Sequence, residues 1–519
     1  MQIYVCVKHV PDSAANITIV DNTAIDEKIA FLLNPYDEHA VTEAAALKKQ
    51  FTGAEIIAVC LGKKDAEKTI RSAMAMGADR GILIETQAVP DSMTTARALK
   101  AAIAQDGSPG IILTGKESID AEGMQTMFRI GALFDFPVVT NAVALQAEDD
   151  RARVTYELAG GRCSRGRPGA ANPGAQSPPN RRLTPGDRGP HGNYFERRSQ
   201  GHYMKNIGIL IETENGNLKS ANLGMITLAR VANTQLTALV VDVPAAAVRA
   251  DLESYGITRI VELDLNTEQL QNPVVRAKAL VQAVEAFDLD VLLGLSTANG
   301  KDLLPRIAAF LDAPLVMDCV AVDFQQRTAR TSQYSGKTLA TIEVTGEVFV
   351  FGMRPNVVDP VPAPAAAEVV SFAGQSLAAG GFKVLQTEQG EETARINLAE
   401  ADVIISGGRG MQNGENFNIL YACAAQLNAA VGASRVAVDS GWVPYPMQVG
   451  QTGEKVSPRV YIACGISGSV QHFAGMKTAG MVIAVNTDEN AAIMANCDYF
   501  AVADALEVIP ELTKQLEND

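Results

Sequence analysis

The sequence predicts an α/β protein with repeated parallel-sheet domains of the nucleotide-binding type and a doubly wound domain at the C-terminus. Short β-branched runs such as EIIAVCLG alternate with helix-period segments such as DAEKTIRSAMAMGA, which is the pattern of βαβ units. The same order of elements occurs twice, and a third α/β unit follows the second copy. These three observations support the fold class.

The composition limits the classes of function. The chain has 519 residues, 47% of them hydrophobic, which is enough for about two to four domains. A net charge of -15 and a pI near 5.0 argue against a nucleic-acid-binding protein. No apolar run reaches the roughly 18 residues of a membrane span. The N-terminus lacks a secretory signal, and the seven cysteines lack a C-x-x-C pair. We therefore expect a cytoplasmic protein with buried thiols and no metal site.

An internal repeat occupies most of the first two thirds of the chain. Residues 55–85 match residues 237–264 in their order of strand, loop, helix, small residue and strand. Further along each copy, RIGALFDFPVV and RIAAFLDAPLV agree at most positions. We therefore expect two copies of one α/β unit, at 1–158 and 204–358, which gene duplication or fusion would explain.

The segment between the two copies has a different composition. Residues 160–203 contain eight Arg and six Pro but neither Val nor Ile, so they cannot bury enough apolar surface to offset their ordering entropy. The composition predicts a disordered linker at 159–203. One hypothesis is out-of-frame translation that joins two originally separate chains, because MKNIGILIETENG reads like a fresh N-terminus. A natural fusion is the other.

A proline-rich connector precedes the third unit. Alternating prolines in DPVPAPAAAEVV predict an extended connector at 359–382, on which we expect the C-terminal domain, 383–519, to swivel. Each strand predicted in that domain ends in Ser, Gly, Asn or Asp, and these strands are 402–408, 434–440, 459–465, 480–486 and 499–504. Ligands of open parallel sheets lie beyond the carboxyl ends of the strands, so we expect one shared crevice there.

Two glycine turns in this domain indicate a phosphate-bearing ligand. SGGRGM places Arg409 after a strand, where backbone N–H groups and a guanidinium can hold a pyrophosphate. CGISGSVQH begins a helix after another strand and places His472 near its first turns. The two turns together suggest a dinucleotide that His472 faces, and a structural histidine is the alternative.

The C-terminal motifs resemble those of a known family. SRVAVDSGWVPYPMQVGQTGEKVSPRVYIACGISGSVQHFAGMK is similar to the FAD domain of the electron transfer flavoprotein α subunit, and the resemblance runs from about residue 204 to the end. The first 158 residues resemble the β subunit of that family, through VCVKHVPD, NPYDEHAVTEA and GKESIDAEGMQT. In the family, the β chain continues through a segment that docks acyl-CoA dehydrogenases and ends in an arm that wraps α. Here the predicted linker stands in that place.

The resemblance implies a set of FAD-binding residues. Arg435 would lie over the reactive edge of the isoalloxazine and His472 would approach its pyrimidine carbonyl, and both would tune the flavin as nearby cations. An ordinary surface ion pair for Arg435 and a helix cap for Asp504 are the alternatives. The FAD-binding residues implied by the resemblance are Arg409, Ser434, Arg435, Gln448, Val449, Gln451, Thr452, Gly465, Ile466, Ser467, Gln471, His472, Asn486 and Asp504.

A second nucleotide site is expected in the first unit. In one branch of the family this site holds AMP as a structural ligand, and in electron-bifurcating relatives it holds a second FAD that accepts hydride from NADH. The matching residues here are Val7, Lys8, Asn34, Gly115, Asp120, Gly123, Gln125 and Thr126.

The resemblance implies an electron carrier, not an enzyme with its own substrate. FAD would take electrons from flavin-containing dehydrogenases of the acyl-CoA dehydrogenase type, as in fatty acid β-oxidation, and pass them to a membrane quinone oxidoreductase or another acceptor. A bifurcating flavoprotein that oxidises NADH with a second FAD is one alternative. A redox-inactive nucleotide-binding protein is the other.

Overall fold

The fold is known from a computed structural model. It describes residues 1–148, 151–158, 162–168, 206–231, 234–334, 336–375, 382–388, 396–450 and 453–518. Within these residues no helix is long and apolar enough to cross a membrane.

The first unit contains a four-stranded parallel sheet with helices around it. Its elements are β1 (Gln2–Val7), β2 (His9–Pro11), β3 (Ile19–Val20), β4 (Ala24–Ile25), β5 (Phe31–Leu33), α1 (Pro35–Lys48), β6 (Glu55–Gly62), α2 (Glu67–Ala75), β7 (Arg80–Glu85), α3 (Ser92–Asp106), β8 (Pro109–Thr114), α4 (Thr126–Phe134), β9 (Ala142–Glu148), β10 (Arg151–Leu158) and β11 (Arg162–Pro168). The parallel sheet has the order β7-β6-β1-β8. Successive side chains of β1 alternate between two hydrophobic cores, as a strand covered on both faces requires.

The second unit repeats this plan with a larger sheet. Its elements are β12 (Asn206–Leu210), β13 (Thr213–Glu214), β14 (Asn217–Leu218), α5 (Ala221–Ala229), β15 (Gln235–Val240), α6 (Ala245–Ser254), β16 (Arg259–Leu263), α7 (Thr267–Gln271), α8 (Pro273–Ala286), β17 (Val291–Leu295), α9 (Ala298–Phe310), β18 (Leu315–Asp323), β19 (Thr328–Gln333), β20 (Thr338–Glu343), β21 (Phe349–Met353), β22 (Glu368–Phe372) and β23 (Phe382–Glu388). Nine of these strands form one sheet in the order β20-β19-β18-β21-β17-β12-β15-β16-β22.

The C-terminal unit is a doubly wound domain with a fully parallel sheet. Its elements are β24 (Val403–Gly407), α10 (Phe417–Leu427), β25 (Ala430–Ala433), α11 (Arg435–Asp439), β26 (Val460–Cys464), α12 (Val470–Met476), β27 (Met481–Asn486), β28 (Tyr499–Val502) and α13 (Ala505–Asn518). The sheet order is β25-β24-β26-β27-β28. The strand predicted at 434–440 is wrong: the strand ends at Ala433, and the short helix α11 follows with Ser434 as its N-cap residue.

The two repeats pack against each other through equivalent arginines. Arg129 in α4 and Arg306 in α9 occupy the same position of the repeated motif, and both are buried. Arg129 donates to the Ala313 carbonyl at 2.8 Å, and Arg306 donates to the Val138 carbonyl at 3.0 Å. Each repeat thus supplies a buried cation whose hydrogen-bond partner lies in the other repeat, which fixes how the two units sit together.

Two segments predicted to be linkers contain paired strands. Within the predicted disordered linker, β11 pairs antiparallel with β10 and with β23. Ladder hydrogen bonds need backbone groups, not apolar side chains, so the composition gave no warning of this strand. Residues 169–203 lie outside the described residues. In the predicted connector, β22 pairs with β16, and the N–H groups of Ala363 and Ala365 donate to the second unit. This part of the connector is therefore docked.

The cysteines agree with the sequence prediction where their side chains are described. Cys6, Cys60, Cys319, Cys423 and Cys464 are buried free thiols, and Cys497 is partly buried.

Candidate functional site

The C-terminal sheet reverses its strand order at β24. The chain runs from β24 to β25 on one side, and then to β26 on the other. In open α/β sheets, such a switch point leaves a crevice beyond the carboxyl ends of the two strands that flank it. The turns after β24 and β26 are the two glycine turns that the sequence singled out.

Glycine backbones cross at this switch point. The N–H of Gly410 donates to the Gly465 carbonyl at 3.0 Å, and the N–H of Gly408 donates to the Cys464 carbonyl at 2.9 Å. A Cβ atom at Gly408 would lie 2.4 Å from the Gly465 oxygen, and Gly465 has φ +60°. Only glycine therefore fits, and the crossing presents backbone instead of side chains to a ligand. Arg409 lies exposed on the same turn.

The start of α11 lies beside this crossing. The N–H of Ser434 donates to the Gly407 carbonyl at 2.9 Å. The Ser434 hydroxyl is buried and has no hydrogen-bond partner within the described part of the chain. Arg435 is 67% exposed, and its Nε lies 3.2 Å from Asp439 Oδ2, one helical turn away. Arg435 thus forms the surface ion pair that was its alternative interpretation. Its guanidinium remains accessible to solvent.

His472 is buried in the C-terminal unit. Its side chain is 5% exposed, and its Nε2 lies 2.9 Å from the Tyr461 hydroxyl. Burial lowers the pKa of His472 to about 4, against a smaller opposing effect of the Val449 carbonyl. With this pKa the imidazole is neutral at neutral pH, whereas the resemblance implied a cation; its role toward the flavin stays a prediction. It can still donate or accept a hydrogen bond.

The segment that precedes β26 contacts the end of β25 and α12. The N–H of Val449 donates to the Ala433 carbonyl at 2.9 Å, next to Ser434. A Cβ atom on Gly450 would lie 3.1 Å from the Gln471 carbonyl oxygen. Gln448 is buried, and Gln471 is exposed. Gln451 and Thr452, also predicted to bind the cofactor, lie outside the described residues.

The remaining predicted residues continue along the same edge of the sheet. Asn486 donates to the Ile466 carbonyl at 2.8 Å, and its own carbonyl accepts from the N–H of Ala503. The Ser467 side chain is exposed on the turn after β26. The Asp504 carboxylate accepts a hydrogen bond from the N–H of Leu506 at 2.9 Å, at the start of α13. Asp504 therefore caps this helix, as in its alternative interpretation.

The first unit has its own switch point at β1, between β6 and β8. The N–H groups of Lys8 and Gly115, which follow β1 and β8, donate to the two carboxylate oxygens of Asp37 at 2.8 and 3.0 Å. Asn34 donates to the Glu117 carbonyl and accepts from the N–H of Ile119. The predicted residues Val7, Lys8, Asn34 and Gly115 therefore do meet at one strand edge.

A charged pair lies at this edge. Lys8 Nζ is 2.7 Å from Asp120 and 3.2 Å from the Ser118 hydroxyl. Burial would raise the pKa of Asp120, but Lys8, Ser118 and the N–H of Ala121 outweigh burial and hold that pKa below its ordinary value. The Lys8 side chain is 44% exposed, and its ammonium is held by Asp120 and Ser118.

Gln125, also predicted at the second nucleotide, forms hydrogen bonds between the two repeats. Its amide donates to the Leu315 carbonyl of the second unit at 3.0 Å, and its oxygen accepts from Ser92 at 2.9 Å. It thus joins the two repeats in this structure. Thr126 begins α4 directly after it, and Gly123 lies in the preceding turn.

The comparisons with known proteins agree with this geometry. The electron transfer flavoprotein FAD-binding domain matches residues 397–477, and the electron transfer flavoprotein domain matches residues 22–166 and 207–376. The chain belongs to the electron transfer flavoprotein family. Its C-terminal unit contains the FAD-binding domain of that family, which supports FAD as the cofactor.

The chain is similar to curated α subunits of electron transfer flavoproteins. It is 38% identical to subunit alpha of Pseudomonas aeruginosa over 312 residues, which are 59% of this chain and 99% of the relative. It is 32% identical to subunit alpha of Syntrophomonas wolfei, over 60% of this chain and 100% of the relative. It is 38% identical to subunit alpha of Mycobacterium leprae, over 59% and 96%.

The sequence did not reveal every residue of these two sites. Tyr461 hydrogen-bonds His472 from β26, and Asp37 connects the ends of β1 and β8. A cavity of about 490 Å³ lies between the first unit, Lys337 of the second unit and α12 of the FAD domain, with Gln471 in its wall. The sequence contained only a weak signal for Asp37, an acid in the first turn of a helix that follows Asn34.

Proposed function

We propose that the protein is an electron carrier. FAD in the C-terminal crevice takes electrons from flavin-containing dehydrogenases of the acyl-CoA dehydrogenase type. It passes them to a membrane quinone oxidoreductase or another acceptor, and the chain transforms no substrate of its own. The observation that most supports this is the crossing of Gly408, Gly410 and Gly465 at the switch point of a matched FAD-binding domain. Cytoplasmic residence stays a prediction.

The residues around the crossing fit a dinucleotide. A backbone with no Cβ atoms lets a pyrophosphate approach, and Arg409 on the same turn supplies positive charge. The unpartnered Ser434 hydroxyl supplies a buried hydrogen-bonding group beside it. When bound, FAD supplies the capacity to accept and release one or two electrons.

The two flavin-tuning residues would act by different means. Arg435 keeps a full charge at the exposed start of α11, so it can stabilise the negative charge that develops on reduction. His472 is neutral and is oriented by Tyr461, so it contributes a directed hydrogen bond and no net charge. The electrostatic contribution to the flavin potential then depends mainly on the arginine.

We further propose that the first unit is β-subunit-like and binds a second nucleotide. The same family domain matches both repeats, whereas the alignments with α subunits cover only about 60% of this chain. Lys8 at the switch point of the first unit supplies a cation for a phosphate. AMP is the proposed ligand, and a second FAD is the alternative that would accompany NADH oxidation.

The FAD domain is docked against both repeats. Lys455 forms an ion pair with Glu122 of the first unit, and Arg354 of the second unit donates to the Thr478 hydroxyl at 3.1 Å. We propose that the domain swivels away from this position to expose the flavin edge to a partner. Because β22 is paired in the sheet, the movement would occur in the chain after Phe372, not in the proline-rich segment before it.

The test is to denature the purified chain and quantify the nucleotides it releases. One FAD and one AMP per chain would support the carrier. Two FAD without AMP would replace it by the bifurcating function, and no FAD would refute both. Matched variants identify the sites: Gly408→Val is expected to lower FAD alone, and Lys8→Met is expected to lower AMP alone. Loss of both nucleotides in either variant would contradict the assignment of two separate sites.

A further inference from the structure

The second repeat reverses a charge that the first repeat has at its strand edge. Strand register places Tyr4 of β1 and Gly208 of β12 in equivalent rows, each two strands away from the arginine that begins β7 or β16. Four residues further on, the chain reaches Lys8 in the first repeat and Glu212 in the second. The backbone N–H of each donates to a side chain in the helix that follows, at 2.8 and 3.1 Å. The position is thus kept while its charge changes from positive to negative.

The Glu212 carboxylate is enclosed by its own repeat. Its side chain is 3% exposed, and its Oε1 accepts from the Thr297 hydroxyl at 2.6 Å and from the Asn299 amide at 3.4 Å. Thr297 caps α9, so the carboxylate lies at the positive end of that helix. A negative charge in the place of Lys8 disfavours a phosphate there. This strand edge of the second repeat therefore needs a different explanation.

The cation that faces Glu212 follows the hairpin of β13 and β14. The N–H of Lys219 donates to the Glu212 carbonyl at 3.2 Å, and its Nζ lies 3.7 Å from Glu212 Oε2. The same ammonium lies 2.7 Å from Glu400 Oε1. The side chains of Lys219 and Glu400 are 13% and 12% exposed. One largely buried cation thus serves two carboxylates and lies closer to Glu400.

Glu400 belongs to the FAD domain and not to the second unit. Leu398 and Ala401, on either side of it, are buried in the core of that domain together with Ile404 of β24. Across the contact, Asn356 of the second unit donates to the Glu400 carbonyl at 3.0 Å. A movement of the FAD domain would therefore separate Lys219 from Glu400 but leave Lys219 beside Glu212.

We propose that Lys219 is a reversible latch for the FAD domain, which pairs with Glu400 when the domain is docked and with Glu212 when the domain has left. This inference rests on the swivel proposed above. Glu212 repels Glu400 in the docked state, and in the open state it is the counter-ion of Lys219. Both effects favour release, so the contact breaks without leaving a buried ammonium unpaired.

The surroundings of Glu212 agree with this role. Burial is the largest of the causes that raise the pKa of Glu212, and the charge of Glu400 raises it further, against the opposing effects of Thr297 and Lys219. The ionised Glu212 is therefore less favourable while Glu400 is near. Departure of the FAD domain removes that part of the repulsion.

A second contact with the FAD domain is built in the same way. Arg354 of the second unit donates to the Thr478 hydroxyl of the FAD domain at 3.1 Å, and it forms an ion pair with Asp318 of its own unit. In both contacts the cation keeps a carboxylate partner from the second unit after the domain leaves. The docked face of the second unit is thus neutralised from within.

The test measures acetylation of Lys455 by acetic anhydride in the full chain, with mass spectrometry. The Lys455 side chain lies at the contact with the first unit and is 16% exposed, so it should react mainly when the FAD domain has left. Lys514, which is 67% exposed on the same domain, is the internal reference. In the wild type we expect Lys455 to react at less than about one tenth of the reference rate. Equal rates would show that the docked state is not populated and would overturn the proposal.

Three variants test the latch itself. Lys219→Met leaves two carboxylates facing each other, so Lys455 should react about tenfold faster. Adding Glu400→Gln removes the repulsion, so the double variant should react more slowly than Lys219→Met. Glu212→Gln should react about threefold more slowly than the wild type, because its oxygen keeps the Thr297 hydrogen bond while the repulsion disappears. A merely structural Glu212 would give the opposite sign.

Each of these results has a counterpart that overturns the latch. These are a Lys219→Met rate equal to the wild type, a double variant as fast as Lys219→Met, and a Glu212→Gln rate at or above the wild type. Lys48→Met is the control, because Lys48 pairs with Asp79 within the first unit, and its Lys455 rate should not change. If the melting temperature shows that Lys219→Met is unfolded, Glu212→Gln decides alone. A wild type without FAD would refute the carrier but not the latch, whose residues are all protein groups.

Discussion

Asp37 should be protonated in much of the folded protein near neutral pH, and this can be tested by stability. Its side chain is buried where β1 and β8 end, and it accepts hydrogen bonds from the N–H groups of Lys8 and Gly115. Those bonds favour the charged carboxylate, whereas burial opposes it. Burial is the larger effect and raises the pKa of Asp37 from 3.8 to about 7.

The raised pKa of Asp37 determines the size and the sign of the pH dependence of folding stability. Below pH 3.8 the carboxyl is protonated in both states. Between 3.8 and about 7 the unfolded state ionises first, so the folded state binds more protons and stability falls as pH rises. At 1.36 kcal/mol for each pKa unit, the loss amounts to about 4 kcal/mol and is complete above pH 7.

The assay compares wild type with Asp37→Asn by amide hydrogen exchange in the first unit from pH 4 to 8. Asparagine at position 37 would place its NH2 group against the N–H of either Lys8 or Gly115. The lost hydrogen bond should lower the free energy of unfolding by about 1–3 kcal/mol at every pH. The stability advantage of the wild type should therefore be large at pH 4 and shrink by about 4 kcal/mol towards pH 7. Asp79→Asn is the matched control, because the Ile56 N–H and Lys48 lower the pKa of Asp79, so the advantage there should shrink as pH falls. An advantage of wild type over Asp37→Asn that grows with pH would refute the reasoning, because the two N–H groups would then outweigh burial.

Three further substitutions test the FAD domain and its support. Gly408→Ala forces a Cβ atom against the Gly465 carbonyl, so we expect a loss of about 1–3 kcal/mol and less bound flavin, measured by thermal unfolding and absorbance; unchanged flavin content would contradict the crossing. Arg354→Ala leaves Asp318 buried without its ion-pair partner, which should cost about 3–5 kcal/mol in denaturant unfolding, and adding Asp318→Asn should recover part of it. Arg435→Ala should change stability by less than about 0.5 kcal/mol but make the flavin midpoint potential more negative, and an unchanged potential would show that the arginine does not face the flavin.

The sequence predicted those features of the fold that depend on local pattern. Strand and helix periodicity, the repeated RIGALFDFPVV motif and the glycine turns are all local, and they located the repeats and the FAD crevice. The prediction of a strand at 434–440 was wrong because the short apolar run VAVD is compatible with either a strand or a helix. The end of β25 at Ala433 decides in favour of the helix. The prediction of a disordered linker missed strand β11, because composition describes the side chains of a segment and not whether partner strands are available to it.

The charges of the sites could not be read from the sequence. Burial lowers the pKa of His472, and this burial is a property of the packed domain that the local sequence does not reveal. Asp37 resembles an ordinary acid at the start of a helix until β1 and β8 are brought together around it. Residue types at strand ends indicate where ligands bind, whereas protonation depends on packing.

The reciprocal arginine contact has a consequence during synthesis. Arg129 is buried against the carbonyl of Ala313, which is 184 residues further along the chain. At roughly 5–20 residues per second, a ribosome needs about 10–40 seconds to make that partner after it has made the arginine. During this interval the nascent first repeat presents a guanidinium and an apolar helix face without their final cover, so chaperone contacts should concentrate on α4 until the second repeat emerges.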